Sequence, residues 1–246
     1  SVACGVRKGP KGAECKGSRP AKAMLKYSYP LAFANIVVAF TLWIDTLMLG
    51  FFGTAEDVGF YGVASKISIF GAKIITAFVI VFTPIIADLW NQGRTEELKD
   101  LYVTVSRWIF ILSLPIFLVL ILFSDSLMHV FGSEFVVASG ALVFLAMGQM
   151  LSAATGAAGL MILMTGRSKL ELFNVTVTLA VNAILCLLLI PNYGVICAAI
   201  AHMSSLGIVN LMRIIEIWIF MRMSAYERSY LTPLFSGVFC AALVAF

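Results

Sequence analysis

Apolar residues run along this chain in blocks of 20 or more, broken by short polar or glycine-bearing turns. Blocks fall at about 28–52 (A), 60–87 (B), 101–123 (C), 138–164 (D), 170–190 (E) and 195–221 (F), and another starts near Pro233. A bilayer core of ~30 Å takes about 20 apolar residues as helix, and open strands cannot cross it because their backbone groups lose their hydrogen bonds. The pattern predicts an all-α integral membrane protein, a bundle of six transmembrane helices plus the start of a further helix. The implied organisation is a basic leader or linker at 1–23, a six-helix lobe at 24–222, and a loop with a truncated seventh helix at 223–246.

The separators are Gly53 to Asp57, Asn91 to Asp100, Ser124 to Glu134, Gly166 to Lys169, Pro191 to Gly194 and Arg222 to Ser229. Thr95 to Leu101 reads as a short interfacial helix capped by Thr95, with acids in its first turn. Ser124 to Val137 reads as lying along the outer surface. Pro115 stands inside block C, where it should bend the helix, whereas Pro30, Pro84, Pro191 and Pro233 fall at or near block ends. The small-residue run Ser152 to Gly159 in block D marks close packing, or else a flexing point.

Composition agrees with this pattern: 61% of the 246 residues are apolar, 12% are charged, and the mean hydropathy is +1.00. Soluble domains carry about twice that share of charge. Disordered chains, disulfide scaffolds and soluble enzymes are excluded. The net charge of +4 is not gathered on a solvated recognition face, so no nucleic-acid partner is expected. Cys4, Cys15, Cys186, Cys197 and Cys240 lack CxxC or CxxH spacing, and neither a disulfide nor a metal site is expected.

Charge placement carries more than charge total. Of 17 basic residues, seven lie in the leader through Lys26, three are Arg94, Lys99 and Arg107, two are Arg167 and Lys169, and three are Arg213, Arg222 and Arg228. All fifteen fall on one side of the alternating spans, and the loops after A, C and E carry none. Cytoplasmic loops retain Lys and Arg, so the N-terminus and the end of the sixth span are expected in the cytoplasm.

The two basic residues left over, Lys66 and Lys73, lie inside block B and are seven apart, on one helical face. A lysine at membrane depth costs ~2.5–3.5 kcal/mol, which points it to protein or to a water-filled cavity. Both are candidates for binding an anionic cargo. Lys66 is also close enough to the outer end for its stem to snorkel.

Asp45 is the one acid well inside a span. An ion pair with Lys66 on the neighbouring helix would resolve the desolvation of both. Alternatively Asp45 titrates, or binds a cation such as H+ or Na+, and couples transport to a gradient. Asn35, Gln149, Asn174, Asn182 and Asn210 line a polar cavity or hydrogen-bond between helices. Arg213 and Glu216 read as a local i,i+3 pair, and His202 as a helix-contact residue. No catalytic motif is present in the chain, and no enzyme activity or cofactor is expected.

Several stretches resemble the polysaccharide flippases of the multidrug/oligosaccharidyl-lipid/polysaccharide (MOP) superfamily. They are Leu25 to Leu31 followed by Trp43 to Gly50; Val58 to Ala64; Phe82 to Leu89; Leu163 to Lys169; and Asn182 to Gly194 with Val195 to Ala201 after it. In the last, Cys197 stands where the family usually has Gly. The resemblance covers about 24–222 and is similar to the family's C-terminal lobe. It implies one half of a two-lobe transporter of the kind shared with the MATE drug antiporters, working by alternating access in the cytoplasmic membrane and facing an N-terminal lobe. The implied cargo is a polyprenyl-pyrophosphate-linked oligosaccharide, with Lys73 and Lys66 at the pyrophosphate and with polysaccharide polymerase machinery as a further partner. A drug or cation antiporter and a non-transporting membrane scaffold are the competing readings.

Overall fold

The computed structural model describes residues 19–221. Within them the order is α1 (Arg19–Phe52), α2 (Ala55–Gly71), α3 (Lys73–Asn91), α4 (Thr95–Leu122), α5 (Ser124–His129), a 3-10 turn (Ser133–Ala138), α6 (Ser139–Thr155), α7 (Ala158–Met164), α8 (Ser168–Tyr193) and α9 (Val195–Met221). No strand occurs among the described residues. Six helical stretches are long and apolar enough to cross a membrane. Blocks A, C, E and F become α1, α4, α8 and α9, while B divides into α2 and α3, and D into α6 and α7. Most of the leader and the seventh block lie outside the described residues, as do Cys4, Cys15 and Cys240. α1 already begins at Arg19, inside the stretch read as leader.

Local chemistry explains several boundaries that the hydropathy pattern blurred. α2 starts at Ala55 because Thr54 and Asp57 form a capping box. The Thr54 hydroxyl accepts from the Asp57 backbone at 3.2 Å, and the Asp57 carboxylate accepts from the Thr54 backbone at 2.9 Å. The interfacial helix expected at 95–101 is instead the first turns of a continuous α4. Arg94, not Thr95, holds its cap position and makes no side-chain cap bond. Its guanidinium forks onto Glu97 at 2.6 and 2.5 Å, an exposed pair worth at most about 1 kcal/mol. Pro84 lies inside α3 rather than at its end, and Pro115 lies inside α4.

The helices pack as α1 on α8, α8 on α9, α9 on α6 and α6 on α4. Alanines at 141, 146, 198, 199 and 201 are fully buried, and a Cβ on Gly148 would stand 3.1 Å from the Met203 Cα. Small residues therefore set how closely α6 and α9 approach, as expected where lipid gives helices no hydrophobic drive to associate. One core cluster joins Ile86, Leu98, Tyr102, Met161 and Ile217 at the end of the bundle where α3, α7 and α9 finish, and continues along α4 to Phe117. The other joins Leu49, Tyr61, Leu142, Cys186 and Ala198 toward the opposite end.

The Ser152 to Gly159 run is both a packing site and an interruption. α6 ends at Thr155, Gly156 takes φ +61°, and α7 restarts at Ala158. A Cβ at Gly156 would lie 2.3 Å from the Ser106 Oγ and 2.6 Å from its Cα. Gly156→Val should therefore lose about 2–4 kcal/mol of stability, from backbone strain together with overpacking. Gly166→Ala, at φ +82° with open space around it, should lose only about 1 kcal/mol. Thermal unfolding in detergent measures both, and equal losses would remove the packing role of Gly156.

Candidate functional site

Asp45 is only 2% exposed and is surrounded by donors from three other helices. Its Oδ1 accepts from the Asn182 amide at 2.6 Å and from the Cys186 thiol at 3.6 Å. Its Oδ2 accepts from the Tyr61 hydroxyl at 2.8 Å and stands 2.8 Å from the His202 Nδ1. An ionised carboxylate only accepts, and a protonated one donates from one oxygen. One proton therefore lies between Asp45 and His202 whichever of the two carries it.

The expected Asp45–Lys66 ion pair does not form. Tyr61 and Lys66 are five residues apart on α2, a rotation of about 140° around the helix. Once Tyr61 faces Asp45, Lys66 must point away from it. Lys66 and Lys73 are both exposed, and the helix is interrupted at Ala72 between them. Among the described residues neither has an ion-pair partner.

The candidate amides separate. Asn182 joins the Asp45 cluster. Asn210 is buried in mid-bundle, accepting from the Thr155 hydroxyl at 3.1 Å and donating to Ser152 at 2.9 Å. These residues and Arg213 border a cavity of about 180 Å³ beside the Gly156 break. Asn35 is exposed and Gln149 is half-buried, and neither joins a cluster.

The local pair expected between Arg213 and Glu216 is replaced by two contacts between helices. Arg213 pairs with Glu171, and Asn174 donates to Glu216 at 2.7 Å. The i,i+3 partners turn instead toward α8, where two acceptor and donor groups are already buried.

Tyr61 and Cys186 are the members of the Asp45 cluster that the sequence did not single out, and His202 is named there only as a helix-contact residue. One signal for them was available: Asn174, Thr178, Asn182 and Cys186 recur every four residues on α8, and all four are buried. That spacing draws a polar line down one face of an otherwise apolar helix.

A family model described as polysaccharide biosynthesis protein matches residues 14–140, just over half of the chain. The chain belongs to the polysaccharide biosynthesis protein family. A relative within curated proteins is the probable low-salt glycan biosynthesis flippase Agl15 of Haloferax volcanii, 24% identical over 189 residues. The match covers 76% of this chain and 40% of Agl15, so the chain spans less than half the length of that relative.

Solved structures give the fold. A MATE transporter in complex with MaD5 superposes at TM-score 0.63 and 18% identity, covering 91% of this chain and 52% of that one. A MOP superfamily transporter from Pyrococcus furiosus superposes at 0.54 and 18% identity, covering 96% and 55%. This family member thus has the all-helical fold of about half a MATE-like transporter, and it is a multi-pass membrane protein.

Tyr61→Phe removes one donor from a buried carboxylate and should cost about 1–2 kcal/mol. Lys66→Met should change stability by less than about 0.5 kcal/mol, because Lys66 holds no partner. Thermal unfolding in detergent compares them; a larger loss for Lys66→Met would restore the ion pair.

Proposed function

We propose that this chain is one lobe of a flippase that carries a polyprenyl-pyrophosphate-linked oligosaccharide across the cytoplasmic membrane by alternating access, for cell-surface polysaccharide synthesis. The reading rests on family membership together with one observation: Lys66 and Lys73 are exposed, and without an ion-pair partner among the described residues, on consecutive helices that lie inside the membrane block. A pyrophosphate crossing an apolar layer needs mobile positive charge along its path. An uncommitted lysine supplies that charge, whereas one locked to Asp45 would not. The basic ends of α3, α4, α7 and α9 are assigned to the cytoplasm by the retention of Lys and Arg there. A second lobe facing this one is part of the proposal, and polysaccharide polymerase machinery is its expected neighbour.

Asp45 takes the coupling role in this scheme, with H+ or Na+ as the coupling ion. Freed from Lys66, it stands 2.8 Å from the His202 ring, and among the described residues no lysine or arginine reaches it. A MATE-type drug or cation antiporter is the second reading, favoured by the solved structures and by this buried acid. Two exposed lysines disfavour a cationic cargo.

Export of lipid-linked glycan by the full-length protein tests the cargo role. Lys73→Ala should lower export at least tenfold and Lys73→Glu should abolish it, whereas unchanged export in both would end the charge-binding role. Asp45→Asn should remove the dependence of export on an ion gradient, and full gradient dependence in that variant would eliminate coupling through Asp45.

A further inference from the structure

A groove of about 710 Å³ lies away from the Asp45 cluster, between α2, α4 and α5. Lys66 and Phe70 come from α2, Pro115 and Val119 from α4, and Leu127 and Phe131 from α5 and the turn after it. Among the described residues Lys66 is the one charged residue on its wall, and every other lining side chain is apolar.

Helix register gives the groove a direction. Gly71 meets the Phe117 ring so closely that a Cβ there would lie 2.7 Å from it. Five residues back along α2 is Lys66, and five residues forward along α4 is Leu122, where that helix ends. On antiparallel helices five residues are about 7–8 Å, so Lys66 stands level with the end of α4 and beside α5. Pro115 lies two residues on the other side of Phe117, at the deep end. The cation is therefore at the mouth and the apolar walls run inward.

We propose that this groove holds the isoprenoid tail of the lipid carrier, with Lys66 on the phosphate at its mouth. This rests on the flippase reading above and gives that cargo a second, lipid-facing site. A volume within the 300–1,000 Å³ of ligand sites, one cation and branched apolar walls match an amphiphile with a single anionic head. The mouth opens at the end of the bundle whose loops carry no basic residues. The site therefore receives the carrier on the far side of the membrane, after its head group has crossed. Lys73, about 10 Å further along the chain from Lys66, meets the phosphate earlier on that route.

The test is equilibrium binding of a radiolabelled polyprenyl monophosphate to the full-length protein in phosphatidylcholine nanodiscs, with phosphatidylglycerol as competitor. Val119→Trp fills the groove and should weaken binding at least tenfold, and Lys66→Gln, a substitution on an exposed residue, should weaken it severalfold. Phosphatidylglycerol at equal mole fraction should displace little of the label. Wild-type affinity in both variants overturns the proposal. So does equal displacement by phosphatidylglycerol, which would make the groove a general lipid slot, or a cross-link from Val119→Cys to another part of the full-length protein, which would make it a lobe contact. Glycan export by the wild-type protein is scored in parallel: its absence defeats the flippase reading, whereas intact export with unaltered binding in the variants defeats only the tail site.

Discussion

A carboxylate inside a bilayer must be surrounded by donors or carry a proton, and Asp45 organises the lobe around that demand. Burying an ionised group unpaired costs several kcal/mol even after relaxation. Here the demand is met by Tyr61 from α2, Asn182 and Cys186 from α8, and His202 from α9, which draws three helices to one point of α1. These contacts fix rotation as well as position. With Tyr61 committed inward, the opposite face of α2 is the one that carries Lys66, and the same rotation exposes Lys73 after the break at Ala72. The exposed position of Lys66 thus follows from the way α2 turns Tyr61 toward the buried acid.

The fold was largely legible because its main determinant is one-dimensional. A 30 Å apolar layer reads block length directly, and all six blocks reappear as membrane-length helical paths. What escaped was anything set by neighbours. The breaks at Ala72 and Gly156 leave hydropathy unchanged, since the residues around them are apolar or small. Thr54 and Asp57 do spell a capping box, yet they were read as loop because polar residues between apolar blocks signal a turn before they signal a helix start. Glu96 and Glu97 did mark a helix N-terminus, but not that it would continue unbroken into α4.

Site residues divided along the same line. Asp45, Lys66 and Lys73 stood out because ionisable groups are rare at depth, while their pairing did not, because depth along a helix was weighed without rotation about it. Lys66 and Asp45 were matched in depth, and about 140° of helix rotation separated them. His202 and Cys186 read as ordinary helix-contact and apolar residues when each was judged alone. They acquire meaning only as members of a constellation with Asp45, and the four-residue spacing on α8 was its trace in the sequence.

The inner half of the lobe carries a second polar layer that extends the logic of the first. Asn210, Arg213 and Glu216 fall on one side of α9, and their partners come from α6 and α8: Ser152 and Thr155, Glu171, Asn174. Polar contacts between helices stabilise a bundle by about 0.6 kcal/mol each on average in membranes. Their larger effect is on register, because each requires a particular rotation of α9. The break at Gly156 sits beside this line, next to the 180 Å³ cavity. Contacts of this kind hold the internal geometry of the lobe. On the proposed flippase reading, rigid-body rocking would require that property of each half, and Lys66 and Lys73 on α2 and α3 would be the charges offered to the anion.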